Sequence, residues 1–213
     1  MRAIATQAEA LSDLDTVIAG RRSVRRFLPD PVPEAIIANM VRAASRAPSA
    51  HNRQPWRFHV VQDAPLKARL ASAMGDKLQA DRTKDGDDMA AIRQDVARSS
   101  ARIIGAPVVV ATCLTLEDMD AYPDDRRSHA EFLMAVQSTA MAAQILLLKA
   151  QSEGLGACWM CAPLFCAETV KNALSLPNSW QPQGLILLGW PAEPGRLRDR
   201  KPLAEIVTGI DVT

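Results

Sequence analysis

Residues Phe132 to Leu148 form a run without a single charged side chain. Such a run has to be hidden from water, either in a membrane or inside a protein. Its length approaches the roughly 17-residue lower limit for a spanning helix. Gln137, Ser138, Thr139 and Gln144 interrupt it, and alanines dilute it. The run therefore predicts a central helix buried on most sides within a protein, from the stretch "SHAEFLMAVQSTAMAAQILLLKAQSEG", with Gly154 ending it. A chain of 213 residues buries about 70% of the surface its unfolded form exposes, so it can cover such a helix.

What covers the helix is legible as strands. "APVVVATCL" is short, continuously apolar and β-branched, which predicts a buried strand. "LGACWM" and "QGLILLGW" read the same way. "RFHVVQD" alternates, with Phe58 and Val60 on one face. Helical spacing of Ile36, Ile37, Met40, Val41 and Ala44 predicts a helix with Pro33 in its first turn and Pro48 at its end. Ser12 or Asp13 is a candidate cap for a first helix ending near Gly20. Residues 66 to 104 read as helices broken by an exposed, mobile segment, "DRTKDGDD". Pro177 is expected to stop a short helix in "AETVKNALSL". Strands separated by helices make one domain, residues 1–213, of α/β or α+β class, with one sheet covered by helices.

The first fifteen residues contain no apolar core of signal-peptide length. Four cysteines without a secretory signal suit a reducing compartment, so the expected location is cytoplasmic, with no membrane association. Cys158 and Cys161 form a CxxC without a second pair or matching histidines, so no zinc site is expected. Small buried hydrophobes are the favoured reading of these thiols and a redox dithiol the alternative.

The chain carries 25 Lys and Arg against 24 Asp and Glu, a formal net charge of +1. That balance, with only 4% aromatic residues, argues against nucleic-acid binding. Against this background "GRRSVRRF" is a dense local exception. Arginine forks match phosphate oxygens, and Ser23 adds a hydroxyl donor. A second basic cluster, Arg196, Arg198, Arg200 and Lys201, lies near the other end of the chain. The two clusters can serve one phosphate if the chain ends meet; either alone reads equally as a solvated face. Between two prolines, "PSAHNRQPW" gathers Ser49, His51, Asn52 and Gln54. Its planar amides suit the edge of a heteroaromatic ring, and an Asx-type turn is the structural alternative. His51 reads as a hydrogen-bonded loop residue, His129 as solvent-facing, and Trp56 and Trp159 as core. Arg98 and Arg102, one helical turn apart, read as an exposed helix face, with an approach to the edge of such a ring as the alternative.

Taken together, "RRSVRRF", "PSAHNRQPWRFHVV", "GLGACW" and "LRDRKPL", in that order and spacing, resemble the FMN-dependent nitroreductase family over residues 13 to 208. The resemblance implies an α+β fold, with a central, mostly antiparallel sheet flanked by helices, and an intertwined homodimer with FMN sites at its interface. Burial of the uncharged run in that dimer fits. It implies that Arg21, Arg22 and Ser23 hold the phosphate and ribityl chain, and that Arg25 reaches the pyrimidine edge. Ser49, Asn52 and Gln54 would contact the flavin, the Pro-Ser end from the partner subunit. Arg198 and Arg200 would complete the phosphate site. The family's Pro-x-Glu-Gly turn is absent; Cys158 to Cys161 stand there, leaving the backbone amides of Met160 and Cys161 for the ring. The implied activity is hydride transfer from NAD(P)H to a small organic acceptor such as a nitro compound or quinone, with no catalytic side-chain acid or base. A non-catalytic flavin-binding module is the other alternative. A narrower likeness, in "DKLQADRTKDG", "AYPDDRRSHAEF" and "LPNSWQPQGLILLGW", is to the C-terminal flavin domain of the bifunctional deazaflavin-coenzyme glutamate ligase. It implies reduction of a deazaflavin precursor, with Asp81 touching that substrate.

Overall fold

A computed structural model describes residues 7–211. Its elements run α1 (Gln7–Gly20), α2 (Glu34–Ala44), β1 (Trp56–Val61), α3 (Ala64–Lys84), α4 (Met89–Ile104), β2 (Val108–Leu114), α5 (Asp125–Ser152), β3 (Gly156–Met160), α6 (Ala167–Leu174) and β4 (Gln181–Gly189). The four strands form one antiparallel sheet in the order β1-β2-β4-β3. The expected α+β class with an antiparallel sheet is what the chain adopts.

Helices cover both faces of the sheet, which explains why the inner strands read as unbroken apolar runs. On one face Val108, Val110, Ile186 and Leu188 pack against α2 and α5 through Met40, Ala142 and Leu146. On the other, Val109, Cys113, Leu185 and Leu187 meet Leu70, Met74, Ile103 and Val170 from α3, α4 and α6. Strands buried on both faces have no polar side to alternate with. The edge strand β1 does alternate, but its apolar face is only partly covered: Phe58 packs on the core while Val60 stays exposed.

The uncharged run lies in α5, and Gly154, at φ +76°, follows the helix's last turn as expected. By length and composition this helix could cross a membrane, yet its Ala135, Ser138, Thr139, Ala142, Leu146 and Leu147 are buried in this chain. Leu133, Gln137, Ala140, Met141 and Gln144 line an opposite, exposed stripe.

Several expected boundaries shift. α1 begins by Gln7, so Ser12 and Asp13 lie inside it rather than at its start. The leader-free reading of the N-terminus falls partly on residues 1–6, which lie outside the described residues. Pro33 sits one residue before α2, at its N-cap, and α2 ends at Ala44 rather than at Pro48. Ser175, in the left-handed region at φ 53°, ends α6 before Pro177 is reached. The "DRTKDGDD" segment is not a loop throughout. α3 continues through Lys84, Gly86 turns the chain at φ +82°, and Asp88 caps α4 by accepting from the Ala91 N–H at 2.8 Å. Arg82 clasps the hairpin by pairing with Asp87 (2.6 Å) and with Asp95.

Candidate functional site

The arginine knot leaves the end of α1 and runs beside β3. The Val24 N–H donates to the Ala157 carbonyl at 3.0 Å, and Ser23 bridges Ala157 in parallel sense. Val24 turns inward and is buried. A Cβ on Gly156 would stand 2.7 Å from Val24 Cγ1, so this approach requires a glycine there. The parallel sense sets an order along β3. Arg21 and Arg22 lie toward its start. Arg25 lies two residues further on, toward Met160 and Cys161, which stand about 10 Å beyond Ala157 at 3.3 Å per residue.

The chain's tail closes on the same place. Phe27 bridges Pro191, the Leu28 N–H donates to the Trp190 carbonyl (2.8 Å), and the Ala192 N–H to the Arg26 carbonyl (3.1 Å). Gly195 then passes so close to the knot that a Cβ on it would stand 2.3 Å from Arg22 Cβ. This contact brings the two basic clusters together: Arg21, Arg22 and Arg25 share a 90 Å³ cleft with Arg196, Arg198 and Arg200. Ser23, Arg25, Arg196 and Arg198 also line an adjoining cleft of 630 Å³, whose far wall is Arg98 and Arg102 of α4. These two arginines therefore face a cleft as well as solvent. Arg26 lines the larger cleft but not the smaller one; its side chain is 78% exposed and pairs at 3.6 Å with Glu193 rather than with nearby Asp30.

Cys158 lies beneath this charge. Burial pushes its thiol up, and the positive charges of Arg25, Arg102 and Arg21 pull it back down. Cys113, buried without such neighbours, is pushed up to about 12. All four cysteines are free thiols. Cys158 packs into the core on one face of β3, whereas Cys161 is exposed and accepts from the Trp159 indole N–H at 2.9 Å. The CxxC is thus divided between two environments, and the dithiol alternative gains nothing from the geometry. Trp159 is half-buried over Gly184, where a Cβ would meet its ring at 2.3 Å; Trp56 is buried in the core.

The polar loop stands elsewhere. It leads into β1, and the Ala50 N–H reaches Ser138 Oγ of α5 at 3.4 Å. Ser49 Oγ accepts from the Gln54 N–H (3.0 Å), and Gln54 Nε2 donates to the Asn52 carbonyl (3.3 Å). His51, Asn52 and Gln54 all have φ near +50°, a conformation that costs non-glycine residues about 1–3 kcal/mol each and gathers at functional sites. Asn52 and Gln54 are exposed. The His51 imidazole makes no hydrogen bond among the described residues, contrary to expectation, and His129 is exposed against Phe132. Because the knot runs along the outer side of β3, the sheet edge opposite β1, the loop and the knot lie about 19 Å apart across four strand spacings. They also lie at opposite ends of the strands, since Trp56 pairs with Leu114 and so stands on the Gln181 end of β4, whereas Gly156 pairs with Gly189. One chain does not bring Ser49, Asn52 and Gln54 to its own arginines.

Asp81, on the last turns of α3, pairs with Lys77, and both act on the Cys166 thiol, five residues past Cys161. Gly195 is the positioning residue that the sequence reading missed; its only signal was a glycine directly before the second basic cluster.

The sequence pattern of the Nitroreductase family matches residues 18–190. The chain is 32% identical to an NADH dehydrogenase of Thermus thermophilus, over 92% of this chain and 95% of that protein. It is 30% identical to a 5,6-dimethylbenzimidazole synthase of Rhodospirillum rubrum, over 84% and 82%. Among solved structures, a protein from Desulfovibrio desulfuricans described as a nitroreductase in complex with FMN superposes with a TM-score of 0.73 at 27% identity, covering 94% of this chain and 98% of that one. A BluB-like flavoprotein from Clostridium difficile shares the fold, with a TM-score of 0.77 at 24% identity, covering 93% and 99%.

Proposed function

Because this chain belongs to the nitroreductase family, we propose that it is an FMN-dependent oxidoreductase that takes hydride from NAD(P)H and passes it to a small organic acceptor, such as a nitro compound or a quinone. The observation that carries this reading is the meeting of Arg21 and Arg22 with Arg198 and Arg200 in one small cleft. The donor set suits a phosphate monoester, and the close approaches at Gly156 and Gly195 shape its walls.

Arg21, Arg22, Arg198 and Arg200 hold the phosphate through charge-assisted hydrogen bonds. Ser23 donates to the ribityl chain. Arg25, further along β3, fixes the pyrimidine edge and offers positive charge where negative charge develops, which is preorganised electrostatic stabilisation. The backbone at Met160 and Cys161 faces the reactive part of the ring. When bound, FMN supplies the hydride chemistry, and the protein supplies binding, orientation and electrostatics.

The loop carrying Ser49, Asn52 and Gln54 reaches the flavin of a second copy. The exposed stripe of α5 supports this, because a homodimer would cover Leu133 and Met141 and place that loop beside the partner subunit's arginines. Four free thiols suit a cytoplasmic location.

Reduction of a deazaflavin precursor is the second reading. It is favoured by the position of Asp81 beside Cys166, close to the turn that follows Cys161.

The test is the double variant Arg21→Ala with Arg22→Ala. Wild-type protein is expected to be yellow, or to become so with FMN, and to bleach with a nicotinamide. The variant is expected to lose its flavin on dialysis while remaining a folded dimer. A variant that stays yellow overturns the phosphate assignment. Wild-type protein that cannot be loaded with FMN overturns the function.

A further inference from the structure

The loop that carries Asn52 and Gln54 is held in a shape its sequence does not favour. His51, Asn52 and Gln54 have φ of 48°, 55° and 50°, and none of them is a glycine. Left-handed residues of this kind persist only where the surroundings over-determine them. Bonds inside the loop account for part of the shape. The Asn52 N–H donates to the Ser49 carbonyl at 3.0 Å, the Arg53 N–H to the Ala50 carbonyl at 2.9 Å, and the Gln54 N–H to Ser49 Oγ at 3.0 Å. These bonds travel with the loop and do not orient it against the rest of the chain.

The orientation comes from outside. Arg57 Nη1 donates to the Gln54 carbonyl at 3.1 Å and to the Trp56 carbonyl at 2.9 Å, while its Nη2 reaches Asp118 at 3.4 Å. Arg53 Nη2 pairs with Asp120 at 2.5 Å. Both aspartates lie in the segment between β2 and α5. The Asp120 N–H donates at 3.4 Å to the Glu131 carboxylate of α5, which is buried. Ser138 of the same helix accepts from the Ala50 N–H. α5 therefore anchors the loop twice, directly at Ala50 and through Glu131, Asp120 and Arg53. The two ion pairs are partly exposed, so they add little to the stability of the fold. What they supply is direction.

We infer that Arg53 and Arg57, braced by Asp120, Asp118 and Glu131, are positioning residues that hold Asn52 and Gln54 in the orientation presented to the flavin. The inference rests on the flavin reading above and deepens it, because it assigns the preorganisation of the loop to residues outside the contacting set. A loop free to leave its left-handed conformations has to be strained again each time FMN binds, and the affinity falls by that amount. The two arginines differ in what they need. Arg57 holds a carbonyl and a carboxylate at once, which takes the fork of a guanidinium. Arg53 makes one bond to Asp120, for which an ammonium suffices.

The experiment titrates FMN-free protein with FMN by flavin fluorescence and follows thermal unfolding of the same FMN-free samples. Arg57→Lys should bind FMN about tenfold more weakly, the low end of the cost of one left-handed residue. Its FMN-free form should unfold no earlier than the wild type, because strain is released as the brace is lost. The visible absorption band of its bound FMN should move toward that of free FMN, which a merely structural role would not cause. Arg53→Lys should bind as the wild type does. Arg53→Gln should bind several-fold more weakly, and adding Asp120→Asn should cost nothing more, since the two act as one pair. Asp118→Asn keeps both arginines and serves if Arg57→Lys does not fold; it too should weaken FMN binding several-fold. Wild-type affinity in Arg57→Lys or in Asp118→Asn overturns the inference. So does an FMN-free Arg57→Lys protein with a lowered unfolding midpoint, since the contact would then be structural, or an Arg53→Lys protein as weak as Arg53→Gln. A wild type that takes up no FMN overturns the flavin reading and this inference with it; unchanged variants of a wild type that does take up FMN overturn the inference alone.

Discussion

Gly195→Ala tests whether the meeting of the chain's two ends builds the cleft. The added Cβ would stand 2.3 Å from Arg22 Cβ and 3.3 Å from the Ser23 carbonyl oxygen. Carbon atoms rest about 3.5–4.0 Å apart, so roughly 1.2–1.7 Å of separation has to be found. Arg22 Cβ cannot supply it, because the knot is fastened to β3 through Val24 and Ala157. The tail can, since residues 192–200 are almost wholly exposed and lie outside any helix or strand. It therefore swings outward and takes Arg198 and Arg200 with it. A hydrogen bond to a charged group is worth about 1.5–3 kcal/mol. Both arginines are exposed, so the low end applies to each, giving roughly 2–3 kcal/mol. That is a 30- to 150-fold weaker FMN affinity at about 1.4 kcal/mol per tenfold. Flavin fluorescence titration measures the affinity, and thermal unfolding checks the fold, whose midpoint should hardly move because no core residue is touched. A Gly195→Ala protein with wild-type FMN affinity refutes the reasoning. So does one that unfolds, since the contact would then be structural.

Two further outcomes follow from the core. Gly184→Ala sets a Cβ 2.3 Å from the Trp159 ring and should cost about 1–3 kcal/mol by overpacking; adding Trp159→Leu should restore most of it, as read from denaturant midpoints. The His59 Nε2 is buried without a hydrogen-bond partner, and burial holds its pKa below the ordinary 6.5. The unfolded chain therefore binds the extra proton first, so stability should fall as pH drops below about 6.5, with the loss complete below the folded-state value. In His59→Gln that part of the pH dependence should vanish; an unchanged stability–pH curve would show that His59 does not contribute.

The elements most fully legible in the sequence were those whose burial is one-sided or total. β2 and β4 could be read from "VVVATCL" and "GLILLG" because strands covered on both faces are almost wholly apolar, Thr112 being the one polar residue in those segments. The knot and the closing arginines were legible as charge, and their pairing followed from the family resemblance. Termini of helices were less legible. Ser175 ends α6 in a left-handed conformation that its residue type does not announce, and Pro177 drew attention two residues too late. The hairpin at Asp81 to Asp88 looked like a loop because its order comes from Arg82 reaching Asp95, a contact between residues 13 apart that local composition does not reveal. Gly195 was illegible for a similar reason, since its partner, Arg22, is at the other end of the chain.

In the proposed flavoprotein the convergence of those ends couples the fold to the cofactor. Like charges gathered in one cleft repel, and the exposed tail is the part free to yield. Without an anion nothing offsets the repulsion between the arginines of the two chain ends, and the exposed tail is the part least held by the core. A bound flavin phosphate turns that repulsion into attraction and ties the ends together, stabilising the folded form in proportion to ligand concentration. The cofactor proposed above would then act as a latch between the chain's two ends.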